Sequence, residues 1–156
     1  MEDPDFVFMR EAIRLSESAV RHGNEPFGAV LVKDGVIAAA GENEIYTAGD
    51  FTAHAELHLL QRYSRETGIT DLGGYTLYAS CEPCFMCSGA LVWTKLGRLV
   101  YGASDLDLCA LLGVEGSRCS SIVLAASHAA TEVRGGVLRE ESLRVLRDYF
   151  AAHEKH

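Results

Sequence analysis

The chain has 156 residues, 48% of them hydrophobic and 23% charged, values that fit one globular domain and exclude a disordered or collagen-like polymer. Its longest apolar run, Gly35 to Gly41, is far below the roughly 18 residues of a membrane span. The net charge of −8 repels phosphate backbones and argues against a general nucleic-acid binder. The acidic opening Met1-Glu2-Asp3-Pro4-Asp5 carries no apolar leader, so a cytoplasmic location is expected. Three of the five cysteines fall within seven residues, Cys81 to Cys87, which points to metal or catalytic use more than to disulfides.

Asp3 before Pro4 is a helix start, and Phe6, Met9, Ile13 and Val20 recur at helical spacing until Gly23. Phe27 to Val32 and Val36 to Ala40 are apolar runs joined by Asp34-Gly35, which predicts a β-hairpin with a type I′ turn. Asp50 or Thr52 can cap a helix from about Ala53 to Glu66, closed by Gly68. Tyr75 to Ala79 and Arg98 to Gly102 read as strands flanking a helix from Cys84 to Lys95. In that helix Leu91 and Val92 turn inward, and Trp93 and Met86 are read as core. Ser104 to His128 is ambiguous, since Ile122 to Ala126 suits either a buried helix or a strand. A short strand over Thr131 to Arg134 and an amphipathic helix over Arg139 to Ala152 complete the chain. A hairpin followed by β-α-β units implies an α/β domain, a mixed sheet with helices on both faces.

The chemistry lies at two predicted helix starts, His54-Ala55-Glu56 and Pro83-Cys84-Phe85-Met86-Cys87. Cys84 and Cys87 stand i, i+3 on one face of a first turn, where the helix dipole favours thiolates. One imidazole and two thiolates are soft ligands suited to Zn²⁺, and three protein ligands leave the fourth tetrahedral position for water. Glu56 does not ligate the metal in this reading. A carboxylate beside that water can take its proton and return it to a leaving nitrogen. A structural Cys₃His zinc with Cys81 as fourth ligand, and an iron–sulfur cluster, are the competing readings of the same cysteines. His58, one turn past His54, reads as a helix-surface residue, and Cys109 and Cys119 as inert thiols.

H-x-E followed by P-C-x-x-C resembles the signature of zinc nucleobase deaminases. The stretches T-A-H-A-E and S-C-E-P-C-x-M-C are similar to the branch of the cytidine deaminase-like superfamily that holds guanine deaminases and tRNA adenosine deaminases. The resemblance runs from the first helix to about Phe150. It implies one zinc-dependent deaminase domain over residues 1–156, a three-layer α/β/α sandwich on a five-stranded mixed sheet, a homodimer, and hydrolytic loss of an exocyclic amine as ammonia. Pro26-Phe27-Gly28-Ala29-Val30 resembles the P-F-G-A-V of guanine deaminases, in which Phe27 would stack on a flat free base. Asn43 matches the asparagine that binds the base edge, its amide offering donor and acceptor. The backbone amide of Ala55 could bind a substrate carbonyl. Glu115, in Gly113-Val114-Glu115-Gly116, falls where guanine deaminases place a second acidic residue that assists proton transfer, with Val114 in place of its acidic neighbour.

The expected substrate is therefore a guanine-like free base. A tRNA adenosine deaminase, a cytosine or triazine deaminase, and an inactive zinc-folded interaction module remain open alternatives. Against tight tRNA binding stands the charge balance after Leu138: Arg139, Arg144, Arg147 and Lys155 are matched by Glu140, Glu141, Asp148 and Glu154.

Overall fold

In the computed structural model, which describes residues 2–153, five strands form one mixed sheet in the order β2-β1-β3-β4-β5. Strands β1 (Gly28–Lys33) and β2 (Val36–Glu42) make the expected hairpin. Its two turn residues have φ of 51° at Asp34 and 76° at Gly35, the consecutive left-handed conformations of a type I′ turn. Strand β1 runs antiparallel to β3 (Thr76–Cys81), whereas β3, β4 (Arg98–Ala103) and β5 (Glu132–Arg134) run parallel. Parallel neighbours need crossovers, supplied by α4 (Phe85–Trp93) between β3 and β4, and by α5 (Asp105–Leu112) and α6 (Cys119–Ala125) between β4 and β5.

The alternation of side chains along the strands sorts the layers. Ala29, Leu31, Leu77 and Leu99 pack with Ala55, Leu59 and Leu60 of α3 (Ala55–Thr67) and with Leu91 of α4. Val30, Val32, Tyr78 and Val100 face the other way, onto Met9, Ala12 and Ile13 of α1 (Pro4–Arg21) and Val145 of α7 (Arg139–Ala152). The result is the three-layer α/β/α sandwich expected. It places the first turns of α3 and α4 side by side on one face, at the carboxyl end of β3.

Several local expectations change. Helix α3 begins at Ala55, not Ala53, because Asp50 Oδ1 accepts from Thr52 N at 2.8 Å and Thr52 Oγ1 at 2.7 Å, which closes a turn ahead of the helix instead of capping it. A short helix, α2 (Ile45–Ala48), follows the hairpin. The ambiguous stretch becomes α5 and α6, so Ile122 is helical; α5 opens on a capping box in which Ser104 and Asp107 bond reciprocally. Helix α4 ends at Trp93, and Trp93 is 86% exposed rather than core. Leu91 takes the inward position, and two residues on a helix turn the side chain by about 200°, to the opposite side.

One buried carboxylate ties the amino-terminal helix to the sheet. Asp5, 4% exposed, accepts from Tyr78 Oη on β3 at 2.7 Å, from Arg98 of β4 at 2.8 and 2.7 Å, and from Arg134 of β5 at 2.6 Å. The Arg98 guanidinium holds the Asp5 carboxyl far below the usual carboxylate range, with Tyr78 and Arg134 adding to it against the cost of burial. A depressed folded-state pKa means this stability is present above the unfolded value near 3.9 and is lost as pH falls below it. Asp5→Ala is expected to cost about 3 kcal/mol, the low end for breaking a buried pair because Arg98 remains partly in water. A thermal melt at pH 7 should drop by roughly 6–12 °C, and the gap from wild type should narrow below pH 4.

Candidate active site

His54 and Cys84 are the residues just before α3 and α4, both with extended backbone, φ/ψ of −72°/152° and −67°/178°. Cys87 lies in the first turn of α4 and is fully buried. The expected placement in a first helical turn thus holds for Cys87, while Cys84 sits one position outside it. His54 Nδ1 stands 3.6 Å from Cys84 Sγ and 3.7 Å from Cys87 Sγ, and the three ligand atoms lie within 4.8 Å of one another. Tetrahedral Zn²⁺ with Zn–S near 2.3 Å and Zn–N near 2.0–2.1 Å separates N from S by about 3.6 Å. The donor set therefore fits zinc in kind and in spacing. Among the described residues no fourth His, Cys, Asp or Glu joins the group, so Cys81 is not placed as a ligand. Its buried thiol is pushed well up, first by burial.

The three ligand side chains act on one another's titration. The Cys87 thiol and His54 hold Cys84 down to about 4 in spite of its burial. The Cys84 sulfur in turn, with burial, pushes Cys87 far up, and Cys84 raises His54. The two thiols thus shift in opposite directions, and a divalent ion bound between them would favour the ionised form of both.

Glu56 is the second residue of α3 and only 7% exposed. Burial pushes its carboxyl up to about 7, where it can both accept and release a proton near neutrality. Ala55, wholly buried, opens the same helix, so its N–H has no partner one turn back. Strand β2 presses on this turn at Gly41: a Cβ there would lie 2.9 Å from Ala55 O and 3.0 Å from Leu59 Cβ. Any larger residue would push the ligand-bearing end of α3 away from the sheet.

Phe27 and Asn43 flank the open end of the hairpin and are joined by Asn43 N donating to Phe27 O at 3.0 Å. Phe27 packs against two core clusters, one containing Ala55 and one containing Cys81. Asn43 is 2% exposed, and its Oδ1 accepts from Glu25 N at 3.4 Å and Ile45 N at 3.2 Å. The expectation that its amide offers donor and acceptor narrows: the oxygen is taken by the backbone, and Nδ2 is left to donate. Glu115 is exposed on the loop between α5 and α6, and the structure does not bring it into the His54-Cys84-Cys87 group. His58 Nε2 lies 3.8 Å from Glu44 Oε2 at the surface. Cys119 donates to Pro83 O at 3.2 Å, and burial pushes its thiol up to about 12; Cys109 points to Asp105 Oδ2 at 3.6 Å.

Two further residues matter here, and sequence reasoning misses both. Glu82, buried between Cys81 and Pro83, accepts from Asp105 N at 3.0 Å, from Ser120 N at 3.1 Å and from Ser120 Oγ. Its place inside the cysteine motif is the only hint in the sequence. Glu25 carries the backbone N–H that holds Asn43 in place; its position before Pro26-Phe27 is the one signal that marks it.

A family model described as the cytidine and deoxycytidylate deaminase zinc-binding region matches residues 3–103. The chain is 42% identical over 102 residues to a guanine deaminase of Bacillus subtilis (strain 168), an alignment that covers 65% of each protein. It is 35% identical over 146 residues to a tRNA-specific adenosine deaminase of the same organism, covering 94% of this chain and 88% of the relative. The solved structure of a guanine deaminase from Nitrosomonas europaea superposes with a TM-score of 0.82 at 26% identity, covering 97% of this chain and 86% of that one.

Proposed function

The chain belongs to the cytidine and deoxycytidylate deaminase zinc-binding family, and from that premise we propose that it is a zinc-dependent hydrolytic deaminase of a free, guanine-like nucleobase, built as one domain over residues 1–156. The observation that carries this reading is the convergence of His54, Cys84 and Cys87 at zinc spacing, with the buried Glu56 carboxyl on the same helix start. In this reading Zn²⁺, when bound, supplies the Lewis acidity that makes water a nucleophile near neutral pH. Glu56 would accept the first proton of the attacking water and pass it to the ring nitrogen beside the amine-bearing carbon; it would then take the second proton from the hydroxyl now on that carbon and give it to the departing nitrogen, which leaves as ammonia as the carbonyl forms. The ring of Phe27 covers one face of the base, Asn43 Nδ2 donates to an acceptor on its edge, and the Ala55 amide holds a carbonyl oxygen. The relatives support a free base or a tRNA adenosine; the acidic chain and the balanced charges of α7 favour the free base, acting in a homodimer without tight RNA binding. Glu115, on the exposed loop between α5 and α6, is kept in this reading as a second acid that assists proton transfer.

The test is ammonia release from guanine, cytosine, adenine, isoguanine, aminated triazines and their nucleosides. A guanine-like base is expected to react fastest, with no tight tRNA complex at about 0.15 M salt. Inosine formation in tRNA with submicromolar binding would move the assignment to the second relative. Asn43→Asp separates the two duties of that side chain, since a carboxylate still accepts from the Glu25 and Ile45 amides but no longer donates. It is expected to lower kcat/KM by about 10- to 100-fold for a base with an acceptor on that edge, while the melting temperature holds. Unchanged kinetics would remove Asn43 from the pocket.

A further inference from the structure

We propose that Glu25 is a specificity-determining residue: its carboxylate accepts the ring N–H of a free base, at the nitrogen that a nucleoside uses for its sugar. The proposal rests on the free-base reading above and names what selects it. Glu25 is half-buried and held from three sides. Its backbone N–H donates to Asn43 Oδ1 at 3.4 Å, its carbonyl accepts from Phe27 N at 2.9 Å, and Tyr46 Oη donates to its Oε2 at 3.1 Å. Glu25, Phe27 and Asn43 thus form one hydrogen-bonded unit, and the carboxylate has one side-chain partner, the exposed Tyr46 hydroxyl.

Through those bonds Glu25 adjoins both side chains that the free-base reading places on the base, Phe27 and Asn43. It remains outside the cluster of ligand atoms that lie within 4.8 Å of one another. A planar base with its amine-bearing carbon toward that cluster turns its remaining edge outward. In a free purine or pyrimidine that edge carries a ring N–H. Asn43 Nδ2 offers a donor, and the Glu25 carboxylate offers the complementary acceptor. A bond from a neutral N–H to a carboxylate is charge-assisted and stronger than a neutral pair. An N-substituted base has no proton to give, and it would desolvate the carboxylate without a partner.

The experiment compares matched pairs, guanine with 9-methylguanine and cytosine with 1-methylcytosine. Steady-state kinetics are measured on wild type, Glu25→Ala, Glu25→Gln and Tyr46→Phe. Calorimetric binding of the same four bases is measured on zinc-loaded protein carrying Glu56→Gln, with and without the Glu25 substitution. Wild type is expected to prefer the parent base, and Glu25→Ala to reduce that preference by about 10- to 100-fold. Glu25→Gln, which keeps an oxygen but not the charge, should fall between, and Tyr46→Phe should shift the preference a little in the same direction. Zinc content and melting temperature report that the fold is intact; where Glu25→Ala fails to fold, Glu25→Gln and Tyr46→Phe decide. A preference unchanged within twofold in folded variants overturns the role of Glu25 while leaving the deaminase reading in place. Binding preference that depends on Glu25 without ammonia release from any base would do the reverse; no turnover of either parent base by wild type together with no binding of either by the Glu56→Gln protein overturns both.

Discussion

Replacing Glu56 by Gln is expected to leave zinc content and fold intact and to lower kcat by a factor on the order of 10² to 10⁴. The substitution keeps volume and shape, so the packing around the first turn of α3 is not disturbed. It removes the one property the mechanism needs, a group that gains and loses a proton near pH 7. Burial already raises the Glu56 carboxyl to about 7. A neutral amide is therefore no worse accommodated there, and the melting temperature should hold or rise. Metal analysis, a thermal melt and ammonia release read the three parts separately. A variant that retains activity within tenfold of wild type would sink the proton-transfer role.

Cys84→Ala and Cys87→Ala are each expected to bring zinc from one ion per chain to a small fraction of that. The loss should also cost stability, because an ion that binds only the folded chain adds its binding energy to folding. At a thousandfold excess over its dissociation constant, an ion contributes about 4 kcal/mol, so melting should fall by roughly 8–16 °C. Cys109→Ala is the control, since that thiol is bonded to Asp105 away from the cluster and should leave zinc unchanged. A chelator added to wild type should reproduce the loss without any mutation. Full zinc occupancy in both ligand variants would overturn the assignment of the sulfurs.

The five-stranded sheet and the grouping of His54, Cys84 and Cys87 are legible in the sequence; the crossover helices are not. His54, Cys84 and Cys87 stand out because ligand chemistry imposes residue type and short spacing, and the hairpin stands out because Asp34-Gly35 tolerates two left-handed residues in a row. Helices α5 and α6 do not, because neither has an amphipathic period; α5 is held by the Ser104–Asp107 capping box, a local signal independent of periodicity, and by Glu82 from 23 residues away. The start of α3 is hidden for the opposite reason: Asp50 looks like a cap but bonds its own turn. Trp93 reads as core from hydrophobicity alone, though Leu91 already fills the inward position. The narrowing of Asn43 to a donor depends on Glu25 N, 18 residues distant, and no spacing rule reaches that far.

Glu82 gives the molecule a form of modularity. It lies inside the segment that the family model matches, residues 3–103, whereas its partners Asp105 and Ser120 lie beyond it. Two of the three donors it receives are backbone amides, which every residue but proline supplies. The joint between the sheet and the upper helices therefore asks little of the sequence above it. A crossover of different length and side chains would still seat on the same carboxylate next to Pro83 and Cys84. Such a socket fixes where a replaceable part begins and ends without dictating what it contains.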